Sequence, residues 1–466
     1  MTRTKGGLDR IPPILRLFFW MALASAPLAC GRSSTGQSPS RQIIATARQY
    51  AERFYPLWFT YYQSQYVGVN RMAGPDRISP IYQIVVAINH DTLYASSFID
   101  VTSQPIVVTI PSTAVTYSIL TLDPYGNIFD TGIPAQTAGV FALCASDFAG
   151  SLPASVTRID MPVNFSNLIF RADKFAESGQ DQTVEADLFR RSLLLQPLSD
   201  YISDPTGGAT LIAPEFFTAV GFKTAADALL KIDPITFLKQ LQVAVESSNT
   251  PPMTAEERAL ADRFNVLFGD GTFSSASKQA AFSSGAQSAH EKILDVYLQN
   301  VGSTNWIHFT DIGQWGSNYL ERASITEFIQ FGNGIDTAAY YQAFKDATGA
   351  ALDGSASSYV LTFPAGQIPE AKRFWSVTAY TPQSIELIPN SANKYVVASY
   401  TSGLVTAPDG SISIYMAQQL PDGVPEPNWL PVPDGPFNVM LRVYGPEGSV
   451  ADNTYVPPPV RVFAGN

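Results

Sequence analysis

Histidine and cysteine are scarce: the 466-residue chain holds His90, His290 and His308 and only Cys30 and Cys144. Two distant thiols build neither a disulfide framework nor a thiolate zinc site. His290-Glu291-Lys292-Ile293-Leu294 opens like a zinc-protease helix but has Leu294 where the second imidazole must stand, which excludes that chemistry. No Gly-x-Ser-x-Gly elbow, Walker loop or Gly-x-Gly-x-x-Gly fingerprint occurs, so the familiar hydrolase and nucleotide routes are closed. Ser275-Ala276-Ser277-Lys278 fits Ser-x-x-Lys but lacks the companion elements of acyl-serine enzymes and reads as a helix start. Positive charge is short as well. Lys+Arg of 29 against Asp+Glu of 40 gives −11, which opposes the field of a phosphate backbone and argues against nucleic acid as a partner.

Long apolar runs are also missing beyond the N-terminus, where nothing approaches the ~18 residues of a membrane span. At the start, Arg3, Lys5, Arg10 and Arg16 precede Leu17 to Ala24, the pattern of a secretory signal peptide over 1–29. Pro27-Leu28-Ala29-Cys30-Gly31 resembles the lipobox of bacterial lipoproteins, with Pro27 departing from it, and makes Cys30 the candidate lipidation site. Cleavage after Ala24-Ser25-Ala26 is the rival. The polar stretch 30–40 then reads as a flexible tether, and any contact with a membrane is expected through the anchor alone. The expected location is the cell envelope, or the periplasm or exterior if cleavage is ordinary. Cys144, in Val140 to Cys144, reads as a small buried hydrophobe.

What the chain has in abundance is 34 Pro, 32 Gly and 12% aromatics, the makings of turns between short strands. Arg41 to Tyr66 carries apolar residues at helical spacing, with Pro56 expected to kink or end it. From Ile81 to about Phe170, runs such as Ile106 to Ile110 and Tyr117 to Leu122 read as strands. Helical periodicity takes over from about 183 to 345, with Asp233-Pro234 and Thr254-Ala255-Glu256-Glu257 as start signals and Gly269 as a stop. Strands return from Ser358 onward. The expected fold is α+β: an N-terminal antiparallel β-rich, sandwich-like domain (41–182), a helical segment (183–345) and a second such β domain (346–466).

The densest polar cluster is Asn89-His90-Asp91-Thr92-Leu93-Tyr94, after the apolar run Ile84 to Ile88. On an extended chain Asn89 and Asp91 face opposite to His90, Thr92 and Tyr94; a turn would relax this. Asp91 is the candidate acceptor or general base and Tyr94 a hydrogen-bonding or stacking group, against the alternative that Asn, Asp and Thr merely lock a turn. A second cluster, Asp123-Pro124-Tyr125-Gly126-Asn127, puts another carboxylate after a strand, and two carboxylates ~5 to 9 Å apart would permit glycosidase-like work. A plain β-turn is the alternative.

These residues, with Asp100 and Tyr117, resemble the Asn-x-Asp-Thr-Leu-Tyr region of domain-of-unknown-function family 1254. Phe374-Trp375-Ser376-Val377-Thr378-Ala379-Tyr380, Asp409-Gly410-Ser411, Asn428-Trp429-Leu430-Pro431, Leu441-Arg442-Val443-Tyr444-Gly445-Pro446, Tyr319 to Ala323 and Pro457 to Val460 resemble its usual companion, family 1214. The resemblance implies two β-rich domains with helices between, often in exported bacterial proteins, and no established reaction. Ile88 replaces the Pro common before Asn89. Gly132 to Gly139 lacks the Arg that relatives usually show, which argues against anion recognition there.

Trp429, Trp375 and Tyr380 could wall a stacking site, and Arg442, inside an apolar strand, needs an acceptor if buried. The resulting expectation is a binding module for a neutral or cationic small molecule or oligosaccharide, in a cleft at Asp91 and Asp123 with Asn89, His90, Thr92, Tyr125, Asn127, Trp429 and Arg442 around it. A carboxylate-based hydrolase using Asp91, Asp123 and Tyr94 is the alternative. No cofactor or metal is assigned.

Overall fold

The computed structural model describes residues 39–80, 82, 85–212, 221–382 and 385–464. The signal segment, Cys30 and most of the tether lie outside the described residues. Helix α1 (Pro39–Val67) opens the described chain. Of the two outcomes expected at Pro56, a kink or an end, the end does not occur and the helix runs through it; the lost backbone hydrogen bond is outweighed because Phe54, Tyr55, Leu57, Trp58 and Phe59 around the proline are all buried.

The N-terminal strands follow as β1 (Ala73–Gly74), β2 (Thr92–Asp100), β3 (Ile106–Ile110), β4 (Tyr117–Leu122), β5 (Gly139–Ala145), β6 (Thr157–Met161) and β7 (Phe165–Asp173). After α2 (Thr183–Arg191), β8 (Leu194–Pro197) and β9 (Leu211–Ile212) join them, with α3 (Leu198–Ser203) between. They form two sheets, ordered β4-β7-β2-β1-β9 and β6-β5-β3-β8. Alternation turns Leu93, Ala95 and Ile99 of β2 and Leu168 and Phe170 of β7 toward Ile106, Val108 and Ile110 of β3, the core of a sandwich.

The helical layer holds α4 (Phe222–Ile232), α5 (Pro234–Val245), α6 (Ala255–Phe268), α7 (Ala276–Leu298) and α8 (Tyr319–Phe328). The punctuation is as the sequence predicts: Asp233 caps α5 with Pro234 in its first turn, Thr254 and Glu257 form a capping box on α6 closed by Gly269, and Ser275 accepts from the Lys278 N–H at the start of α7. Helix α1 belongs to this layer and packs closely on α7. A Cβ on Gly285 would come 2.6 Å from the Ala47 Cβ, so only glycine permits that approach.

The C-terminal half contributes β10 (Trp306–Ile307), β11 (Ala338–Ala343), β12 (Ser358–Phe363), β13 (Ala371–Tyr380), β14 (Val396–Ala398), β15 (Ile412–Ala417), β16 (Trp429–Pro431), β17 (Asn438–Pro446), the short α9 (Gly448–Ala451) and β18 (Arg461–Phe463). Its sheets are β10-β11-β17-β13-β14 and β16-β15-β12-β18. Between them lies a second sandwich core of Tyr341, Trp375, Val377, Leu441 and Val443 against Leu361, Phe363, Ile414 and Met416. The fold is α+β and mostly antiparallel, with parallel pairing where edge strands β6, β9 and β16 join their sheets and at an isolated bridge between Val69 and Phe98. Segment 183–345 is not purely helical: β8 and β9 return to the N-terminal sheets, and β10 and β11 belong to a C-terminal one.

Each half therefore has a large sheet with one face in its own sandwich and the other free. The free face of the C-terminal sheet, with Tyr340, Phe374, Tyr380, Met440 and Tyr444, packs into the helical core. The free face of the N-terminal sheet carries Tyr94, Ser96 and Phe98 beside Arg171, Ile169 and Asn167, their direct cross-strand partners. The functional geometry lies where these faces meet.

Candidate functional site

The Asn89 turn is built by its own amide. Asn89 Oδ1 accepts from the Asp91 N–H (3.0 Å), the Thr92 N–H (3.1 Å) and the Thr92 hydroxyl (3.1 Å), while Nδ2 donates to the Tyr444 hydroxyl at 2.6 Å. Asp91 is fully buried and accepts from the Ser376 hydroxyl at 2.8 Å and from the Tyr400 hydroxyl, both in the C-terminal half. The turn is a bracket between halves. His90 lies beside it, its carbonyl accepting from Lys174 Nζ at 3.0 Å and its ring 5.3 Å from that of Tyr395. Burial and then the nearby Lys174 charge push the His90 imidazole down to about 3, so it is neutral.

Asp123 is held inside its own turn. Oδ1 accepts from the Tyr125 and Asn127 N–H groups, both at 2.9 Å, and Oδ2 from Asn127 Nδ2 at 2.7 Å. Burial raises its carboxyl pKa against those bonds. The Tyr125 ring is buried under the Arg322 guanidinium, 4.2 Å away. The structure thus gives the two carboxylates separate partners, and neither lines the cavity described next.

That cavity, of about 100 Å³, lies between the free sheet faces. One wall is Tyr94, Ser96, Phe98, Asn167, Ile169 and Arg171 on β2 and β7; the other is Tyr340, Arg442 and Tyr444 on β11 and β17. Gln63 and Val67 of α1, segment 329–332 after α8 and segment 85–89 close it. Two wall residues, Ala87 (φ 50°) and Phe331 (φ 63°), hold left-handed backbone that side chains rarely adopt, strain of the kind found at ligand sites. Arg171 is buried, donating to Asn333 Oδ1 at 2.6 Å and the Phe331 carbonyl at 2.7 Å. Arg442, 1% exposed, donates through Nη2 to the Ala87 carbonyl, and its Nη1 has no hydrogen-bond partner among the described residues. Arg71, Arg171 and Arg442 line the cavity, and among the described residues no carboxylate does.

The structure places the remaining candidates elsewhere. Trp429 sits on edge strand β16 and donates to the Ala417 carbonyl at 2.9 Å, while Trp375 packs in the sandwich core 5.3 Å from Phe363. Tyr380 donates to the Ile88 carbonyl at 2.7 Å, so these three form no common wall. Gly132 to Ala135 line a separate open groove of about 860 Å³ with Asp130, Asp311 and Asp336.

A second cluster stands in the helical layer. Ligand atoms of Asp227, His290 and Glu327 lie within 4.8 Å of one another, a set sequence spacing does not reveal because it comes from α4, α7 and α8. Lys223 Nζ pairs with both Asp227 (2.9 Å) and Glu327, so an ammonium already supplies the positive charge there. Tyr55 donates to Glu327 at 2.6 Å. Although burial opposes charge on both, Lys223 and His290 hold Glu327 down to about 2, and the close carboxylates of Asp227 (3.2 Å) and Glu327 (3.6 Å) raise His290 to about 9. This is a buried, charge-matched staple between helices.

Of the cavity residues, Asn89, Tyr94 and Arg442 stand out in the sequence, Tyr444 enters only within the motif resembling family 1214, and Arg171 and Tyr340 do not stand out. The available signal was a polar stripe at every second position, Asn167, Arg171 and Asp173 flanking Ile169.

None of the curated proteins matches this chain. Among solved structures, the VPA0106 protein from Vibrio parahaemolyticus is similar over 91% of this chain and 100% of that one, at 20% identity with a TM-score of 0.56, and shows the fold alone. An uncharacterized protein from Burkholderia cenocepacia matches over 90% of this chain and 94% of that one, at 13% identity and a TM-score of 0.42. Two family models, each described as "protein of unknown function", match: DUF1254 over residues 69–197 and DUF1214 over residues 337–448. The first contains the Asn89 bracket and Arg171, the second Tyr340, Arg442 and Tyr444, and the chain resembles proteins that pair these two families in that order.

Proposed function

We propose that the protein is an exported, lipid-tethered binding protein that holds a small amphipathic molecule in the cavity between its two β-rich halves. The observation that carries this reading is the cavity itself: a partly open space with mainly apolar walls and a few convergent polar groups, the usual character of a small-molecule site. Binding is favoured over hydrolysis because Asp91 is occupied by Ser376 and Tyr400 and Asp123 by its own turn, leaving neither carboxylate placed to take a proton from a bound molecule. The cavity's size favours a small molecule over an oligosaccharide.

Thermal unfolding in the presence of short n-alkanols and n-alkanoates tests the reading. A ligand at a hundred times its Kd stabilises the folded state by about 2.7 kcal/mol, so a saturable rise in midpoint is expected. Ser96→Trp, which fills the cavity, should abolish it. No shift from any member of either series would overturn the reading.

A further inference from the structure

Buried arginines need acceptors, and this cavity leaves one short. Arg171 commits both terminal nitrogens to protein oxygens. Arg442 commits Nη2 to the Ala87 carbonyl and has the Tyr380 hydroxyl as a further side-chain partner, and its buried Nη1 has no hydrogen-bond partner among the described residues. An unpaired buried donor costs about 1–3 kcal/mol, more when it is charged. The charge is poorly balanced too: the groups that act on Arg171 are the Tyr94, Tyr444 and Tyr340 phenols. Asp91 acts on Arg442 only from farther away, its oxygens taken by Ser376 and Tyr400.

The phenols point the same way. The Tyr444 oxygen accepts from Asn89 Nδ2, and the Tyr340 oxygen accepts from the Asn333 N–H (3.0 Å) and Nδ2 (2.9 Å). A phenol that accepts keeps its proton for donation, so both have an O–H to offer. Tyr340 and Arg442 are cross-strand partners, and Tyr444 lies two residues from Arg442 on the same face of β17. One corner of the cavity is therefore a donor-only surface of a guanidinium and two hydroxyls, while Val86, Phe98 and Ile169 lie elsewhere in its lining.

We infer that the ligand is a small monocarboxylate, its two oxygens received by Arg442 Nη1 and the Tyr340 and Tyr444 hydroxyls and its apolar body against Val86, Phe98 and Ile169. This rests on the binding reading above and narrows it. Three donors match the acceptor demand of a carboxylate; a phosphate monoester brings a third oxygen and up to a second charge that this corner does not match.

Calorimetric titration of the purified protein with hexanoate, 1-hexanol and hexyl phosphate at pH 7 tests it. A charge-assisted hydrogen bond contributes about 1.5–3 kcal/mol, so hexanoate should bind roughly 10- to 100-fold tighter than 1-hexanol. Arg442→Met should erase that preference while leaving 1-hexanol binding. The comparison in the unaltered protein decides the matter even where the variant fails to fold. Equal affinity for hexanoate and 1-hexanol would overturn the carboxylate while sparing the binding reading. Tighter binding of hexyl phosphate than hexanoate would replace carboxylate by phosphate, and no binding of any of the three would remove the binding reading itself.

Discussion

At the scale of single residues, two histidines give the protein opposite pH sensitivities. His90 is pressed down to about 3 by burial and by Lys174. Between its ordinary value near 6.5 and about 3 the unfolded chain holds a proton the folded one does not, so its contribution to stability is lost as pH falls through that window. His290 is raised to about 9 against the cost of burial by Asp227 and Glu327, so its contribution is complete below about 6.5 and is lost as pH rises through 9. Urea midpoints should therefore fall between pH 6.5 and 9, and His290→Gln should flatten that limb alone. An unchanged slope in this variant would show that His290 is not charged in the folded protein. Neither behaviour can be read from the sequence, because both shifts come from residues far away along the chain. Asn89 differs: its hydrogen bonds to the Asp91 and Thr92 N–H groups are local, which is why a turn was legible there. That Asp91 would bond Ser376 and Tyr400 was not.

At the scale of elements, the helical layer is fastened by the Lys223–Glu327 pair with Asp227, His290 and Tyr55 around it. Removing one partner of a buried pair leaves a charge without compensation, at about 3–5 kcal/mol. Glu327→Gln should cost near the lower figure, since Asp227 still faces Lys223, and Glu327→Gln combined with Lys223→Met should cost clearly less than the two single losses summed. Strictly additive losses in denaturant unfolding would dissolve the network. Helix starts were legible at this scale because a cap is written within four residues, as at Thr254 and Glu257. Strands were legible as short β-branched runs. The fate of Pro56 was not, because a proline's local cost is set against burial supplied by α5, α7 and α8.

At the scale of the whole molecule, the described chain from Pro39 onward clusters as one compact unit, although the sequence texture reads as β, α, β. Texture reports which elements form, not which faces remain for partners. The free face of β2 and β7 shows why the halves are not separable. Tyr94, Phe98, Ile169 and Arg171 look out of their sandwich, and Asp173 is held by Arg373 of β13 in a buried ion pair. Residues 69–197 expressed alone should therefore lack a cooperative thermal transition and bind hydrophobic dyes. A sharp unfolding transition with native strand content by circular dichroism would contradict this dependence.

The segment between the two family regions supplies Ile329 to Gly332 to the cavity wall. With Gln63 and Val67 of α1, which precede the first region, four separate stretches of polypeptide thus author one cavity. Gene rearrangement that moved either region into a new protein would deliver an open half-shell with a stranded guanidinium, so inheritance as a pair follows from the architecture.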